Sequence, residues 1–241
     1  MKILIVCNGP SLEYTPLDKL EYNLSIGMNR IHLLYNSVKW RPDVYVYGDR
    51  SGGNTEIEDV SFHLDQGYEC YIRADIGTRG EFIGLKKPLW DYENYHPFVE
   101  CSHGIYQING PPAGGWHPPH PCKWGGTASV AIQLAALNYN ATEIFLVGAD
   151  LGYEAQKVKN FSPVYHAQDK YSEKQASNQN TTVTIGHKIS KEQCEQRGIK
   201  IYNATIGGEL EVYERKSVAE YAKPEFKADV ENYLRKLEIP T

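Results

Sequence analysis

An α/β fold built on a mostly parallel sheet is what the sequence predicts, and three observations carry that reading. Met1–Cys7 is a short apolar, β-branched run, followed directly by Asn8-Gly9-Pro10-Ser11-Leu12. An unbroken apolar run of this length fits a strand buried on both faces. Strand-like and helix-like periodicities then alternate along the chain, as the units of a parallel sheet require. The clearest strand, Glu143–Gly148, follows a helical pattern and ends on Ala149-Asp150.

Each element can be justified in order. Leu24–Asn29 reads as a second strand and Val44–Asp49 as a third, introduced by Arg41-Pro42-Asp43; both end on a polar residue. Glu69–Arg73 is the expected fourth strand. Gly77–Cys122 contains Asn109–Gly115 and Pro118-Pro119-His120-Pro121, which do not sustain regular elements, and is expected to be a loop-rich lid or acceptor-side insert. Order returns at Gly125-Gly126-Thr127. Thr127 is the expected N-cap of a helix carrying Val130, Ala131, Leu134, Ala135 and Leu137 at helical spacing. Glu154–Thr184 is polar and reads as a mobile lid. Ile189–Arg197 reads as a helix closed by Gly198, Ile199–Asn203 as a strand, and Pro224–Leu237 as an amphipathic helix.

Composition narrows the function. With 241 residues and 41% hydrophobic content the chain can bury a core as one domain. A net charge of −5 and a pI near 5.9 argue against a broad nucleic-acid surface. No stretch approaches the roughly 20 apolar residues of a membrane span, and Met1 leads straight into a strand rather than a signal peptide. The five cysteines are scattered without a C-x-x-C pair, as expected of reduced thiols in a cytoplasmic protein rather than of a disulfide frame or zinc site. The 18 tyrosines are many for this length, and sugar and base sites use such side chains. Self-association is left open.

The chemistry-bearing residues gather where strands end. Gly9 lets the chain turn sharply above the first strand and brings main-chain N–H groups towards a ligand, and ligands of open α/β sheets sit outside the carboxyl ends of the strands. The G-x-G-x-x-G fingerprint and the Walker lysine are both absent, which excludes a standard NAD enzyme or P-loop kinase. Asp49 and Asp150 could coordinate Mg²⁺ if the ligand were a triphosphate, but there is no tight D-x-D pair and no His/Cys cluster, so no resident metal is expected.

Taken in order, Asn8–Leu12, Asn29, Gly125-Gly126-Thr127, Leu146–Tyr153 and Ile185-Gly186-His187 resemble bacterial sialyltransferases of glycosyltransferase family 42. With Asn203–Val212 added, the same landmarks resemble a broader group that includes flagellin-modifying motility accessory factors and an archaeal 6-hydroxymethylpterin diphosphokinase. The blocks cover roughly half the chain. The resemblance implies a Rossmann-like domain with a nucleotide set of Asn8, Gly9, Ser11, Asn29, Asp49, Lys123, Gly125, Gly126, Thr127, Gly148 and Asp150. The family has Asn where Asp49 stands, and arginine precedes the turn that Lys123 precedes here; lysine offers a point charge rather than a bidentate fork. His187 matches the family's general base, and Tyr153 and Tyr165 match tyrosines that hydrogen-bond the departing phosphate, with Tyr171 able to replace Tyr165 and His166 in the same segment.

The implied function is a glycosyltransferase that moves a sugar from a nucleotide-activated donor, a CMP-sugar of sialic-acid type, to an acceptor hydroxyl without a metal cofactor. The alternatives are a Mg-ATP diphosphokinase acting on a pterin-like alcohol and a nucleotide-binding accessory protein without turnover.

Overall fold

The computed structural model describes residues 1–48, 55–74, 85–100, 122–123, 125–154, 160–162, 165 and 172–237. Within them nine strands form one sheet in the order β6-β5-β4-β3-β2-β1-β7-β8-β9, and every pair of neighbours is parallel. The strands are β1 (Lys2–Val6), β2 (Leu24–Met28), β3 (Val44–Tyr47), β4 (Glu69–Arg73), β5 (Tyr95–Glu100), β6 (Cys122–Lys123), β7 (Glu143–Val147), β8 (Lys200–Asn203) and β9 (Glu214–Arg215). The expected α/β, Rossmann-like architecture is what forms.

The period of two along each strand sends alternate residues into two cores. Ile3 and Ile5 of β1, with Ile144 and Leu146 of β7, pack under α2 (Thr127–Leu137) and α3 (Glu173–Gln196). Leu4, Val6, Phe145 and Val147 point the other way, towards α1 (Thr55–Asp65), α4 (Lys227–Lys236) and the short 3-10 turns at Pro10–Tyr14 and Val218–Tyr221. Ile3, Leu4, Ile5 and Val6 are all fully buried, and burial stabilises each by about 1.5–3 kcal/mol. β1 is therefore the spine of the domain.

Three expectations are corrected. Residues 77–122 were expected to lack regular elements, yet β5 and the first residue of β6 lie inside that range and extend the sheet. Pro97 disguises β5, but among the described residues β6 pairs with β5 at Val99 and Glu100 and not at Pro97, so no described ladder bond on that side needs the missing N–H. Residues 75–84 and 101–121 lie outside the described residues. Residues 173–184, assigned to a mobile lid, form the first half of α3. Ser172 caps that helix in a reciprocal box: its hydroxyl accepts from Gln175 N (3.3 Å), and the Gln175 side chain accepts from Ser172 N (2.8 Å). Finally, the N-cap of α2 is Gly126, not Thr127, which is the first helical residue. No helix among the described residues is long and apolar enough to cross a membrane.

Candidate functional site

The strand order reverses between β1 and β7, so the crevice above their carboxyl ends is the topological switch point of the sheet. Gly9 roofs β1 here, and its φ of −69° is one that any residue adopts. Space, not a sharp turn, is what demands glycine: a Cβ would lie 1.9 Å from Asp150 Oδ2 and 2.6 Å from the Gly148 carbonyl oxygen. The turn is stitched down on both sides. Gly9 N donates to Gly148 O at 2.8 Å, Ser11 N donates to Asp150 Oδ1 at 3.0 Å, and Ser11 Oγ donates to Asp150 Oδ2 at 2.8 Å. Burial raises the Asp150 carboxyl pKa and the Ser11 bonds pull it back. Both oxygens of Asp150, expected to meet a nucleotide, thus hold the Ser11 turn to the end of β7.

Asn8 is buried beside this clamp. Its Nδ2 donates to Met28 O at 3.0 Å, while its buried Oδ1 has no partner among the described residues. A buried acceptor left unmade costs about 1–3 kcal/mol, so such an atom marks a place where a donor can arrive. Asn29, at the end of β2, has a φ of +49°. Its Oδ1 accepts from Gly48 N (3.1 Å), and its Nδ2 reaches Thr127 Oγ1 (3.4 Å), which ties β2, β3 and α2 together. Gly126 caps α2 with no side-chain hydrogen bond; Ser129 N donates back to Gly126 O at 3.1 Å, and the start of the helix is the end that suits an anion. Asp49, Tyr171 and His166 lie outside the described residues, as does the side chain of Lys123 at the end of β6.

Helix α3 crosses this region and is fixed at two points. Asn180 Nδ2 donates to Tyr153 O and Tyr153 N donates to Asn180 Oδ1, each at 2.8 Å. Gly125 sits against α3, where a Cβ would lie 2.3 Å from Thr182 O. In the C-terminal half of α3 stands His187, buried, with Nδ1 2.9 Å from the Tyr213 hydroxyl. Desolvation lowers its pKa from 6.5 to about 4, so it is neutral well below pH 7. The expectation of a histidine near its ordinary pKa is therefore corrected by its burial.

The two tyrosines expected to act as a pair stand apart. Tyr153 lines a small cleft of about 170 Å³ with Pro10, the Asp150–Gly152 turn and Gly208-Glu209. Tyr165 is buried beside Arg30, whose guanidinium donates to the Tyr165 carbonyl oxygen, and its ring packs edge-on to Phe161. Cys7, Cys70 and Cys194 are buried free thiols, and burial pushes Cys7 up to about 12. Among the described residues no group of three or more His, Cys, Asp or Glu stands close enough to hold a metal.

Two features escaped the sequence. Arg30 Nε and His32 Nε2 both reach the buried Asp59 carboxylate, at 3.1 and 3.0 Å. Arg73, at the end of β4, is fully buried with its guanidinium donating to Gly48 O at 3.4 Å. The signal for Arg73 was present: a charge closing the apolar run Cys70-Tyr71-Ile72.

No family model and no curated protein matches the sequence. Solved structures match in fold, among them the following two. The MAf glycosyltransferase from Magnetospirillum magneticum AMB-1 matches with a TM-score of 0.51 and 15% identity over 98% of this chain and 37% of that one. A point variant of the sialyltransferase CST-II, in complex with CMP, matches with a TM-score of 0.52 and 16% identity over 90% of this chain and 86% of that one. The chain shares its fold with these two solved glycosyltransferases. This chain spans little more than a third of the MAf glycosyltransferase, and at such identities the likeness is one of fold.

Proposed function

We propose that the protein transfers a sialic-acid-like sugar from a CMP-activated donor to an acceptor hydroxyl, without a metal cofactor. The observation that carries this reading is the unpartnered, buried Asn8 Oδ1 at the switch point, next to Asn29 and the uncapped start of α2. Asn8 Oδ1 accepts from the nucleoside, the first-turn amides of α2 with Lys123 meet the phosphate, and Asn29 shapes the pocket between them. The CMP held by the CST-II structure supports the choice of nucleotide.

His187 is the general base. Its Nδ1–H is directed at Tyr213, so Nε2 carries the lone pair. The acceptor O–H proton passes to Nε2 as the acceptor oxygen bonds the anomeric carbon. The bond from that carbon to the phosphate oxygen breaks, and its electron pair leaves with CMP. Tyr165, beside Arg30 at the end of β2, donates to the departing phosphate. A pKa of about 4 makes His187 a weak base on its own; the phosphate charge in the closed site offsets this by stabilising the imidazolium.

The experiment is a ranking of thermal shifts with CMP, UMP, ADP and ATP. CMP should stabilise the protein in EDTA. Stabilisation by ATP only with Mg²⁺ would replace this reading with the diphosphokinase one, and no response to any nucleotide would overturn both.

A further inference from the structure

The cleft beside Tyr153 lies on the β7–β8 side of the switch point, across β1 from Asn29 and the start of α2. Its two walls are held in place. One is the Leu151-Gly152 turn, both residues in the left-handed region with φ of 58° and 67°; the other is Gly207-Gly208, with φ of 71° and 77°. Glu209 N donates to Asp150 O at 2.6 Å and joins the walls. Arg215 braces the second wall by donating to the carbonyl oxygens of Gly207 and Gly208, each at 2.8 Å. Asn180 braces the first through both backbone groups of Tyr153. Such a cleft is formed before any ligand arrives.

Its lining specifies the ligand. The Glu209 carboxylate lies against Gly152, where a Cβ would fall 2.8 Å from Glu209 Cδ. Among the described residues neither of its oxygens takes part in a hydrogen bond or ion pair. Asp150 adds a second carboxylate behind it, already engaged by Ser11. Two carboxylates repel phosphate and carboxylate groups, and a free one accepts strongly from hydroxyls. Tyr153 supplies an aromatic face, and a volume of about 170 Å³ suits one sugar ring.

We infer that this cleft is the acceptor subsite and that it takes a neutral sugar, whose hydroxyls donate to Glu209 while its ring lies against Tyr153. The inference rests on the glycosyltransferase reading and adds to it the class of acceptor: a neutral pyranoside, with anionic sugars excluded. It moves the acceptor from the 77–122 segment to the β7–β8 side of the crevice.

The test is saturation-transfer NMR with methyl β-galactoside, methyl β-glucoside and N-acetylneuraminic acid, with and without saturating CMP. At least one neutral glycoside should bind with or without CMP, and N-acetylneuraminic acid should not bind once CMP is present. Glu209→Gln should weaken the glycoside about tenfold through loss of a charge-assisted hydrogen bond, with the thermal midpoint and the CMP-induced shift unchanged. Four results would overturn the inference: no glycoside signal, displacement of the glycoside by CMP, displacement by Mg²⁺, or equal binding by Glu209→Gln. If CMP still stabilises the protein in those cases, only the subsite falls. If CMP does not, the glycosyltransferase reading falls first.

Discussion

Tyr213 and His187 are joined twice: the Tyr213 hydroxyl donates to the His187 carbonyl oxygen at 3.1 Å and stands 2.9 Å from His187 Nδ1. A hydroxyl has one proton to give, so the second contact assigns the donor role to Nδ1–H and leaves Nε2 as the acceptor. Tyr213 is itself buried, and its phenol pKa is raised well above its ordinary value, so it stays a neutral partner across the working pH range.

His187→Ala should lower turnover by about 10²–10⁴-fold and leave CMP affinity nearly unchanged, as expected for a general base that faces the acceptor. Tyr213→Phe should move turnover in the same direction by less, since it removes only the group that fixes the tautomer. Initial rates of sugar transfer set beside CMP titrations separate the two effects. Full activity in His187→Ala would remove it from the mechanism.

Stability should fall as the protein is acidified. Burial lowers His187 from 6.5 to about 4 and His63 from 6.5 to about 3. In that window the unfolded chain takes up protons that the folded chain does not. The stability is therefore complete above pH 6.5 and is lost as pH falls towards 4 for His187 and towards 3 for His63. Each histidine contributes a slope of about 1.4 kcal/mol per pH unit. Urea unfolding between about pH 7 and about pH 5 should show a shallower slope in His187→Gln and in His63→Gln.

Gly9→Ala should be more damaging than Gly67→Ala, although backbone angles alone argue the reverse. Gly67 has a φ of +80° but open space around it, whereas Gly9 has an ordinary φ and a Cβ that would meet Asp150 Oδ2 at 1.9 Å. Strain at Gly67 costs about 1–2 kcal/mol. Overpacking at Gly9 costs about 1–3 kcal/mol and adds loss of the Ser11–Asp150 bonds, each worth about 1 kcal/mol more. Chemical denaturation of the two variants gives the order directly.

Ser172→Ala should destabilise the protein by about 0.5–2 kcal/mol, the usual loss for an N-cap. Amide exchange should quicken over residues 173–180 and little elsewhere in α3. Unchanged exchange would show that the ties to Tyr153 and Gly125 hold the first half of α3 without its cap.

Six strands could be read from the chain because each of β1, β2, β3, β4, β7 and β8 is a compact apolar run closed by a polar or glycine-rich turn. β5 escaped because His96-Pro97 interrupts its pattern. The first half of α3 escaped because Ser177-Asn178-Gln179-Asn180-Thr181-Thr182 is polar on every side and poor in helix formers. Tertiary contacts hold it instead, through Asn180 and the packing of Gly125 against Thr182. At the site, Asn8, Asn29 and Thr127 were legible because they stand at strand and helix ends. Pairs such as Arg30 with Asp59 or His187 with Tyr213 were not, since each joins residues more than 25 positions apart that only the folded sheet brings together.

The central place of β1 governs the order in which the molecule can be assembled. Lys2–Val6 pairs with β2 on one side and with Glu143–Val147 on the other. During synthesis β1 therefore emerges long before its second neighbour exists. Until β7 arrives, its apolar ribbon presents an open hydrogen-bonding edge, the kind of surface on which nascent chains stick to one another. Closure over so long a separation makes for slow folding. A chain stopped before Glu143 would keep that edge exposed for good, and would be a substrate for chaperones rather than a smaller version of the domain.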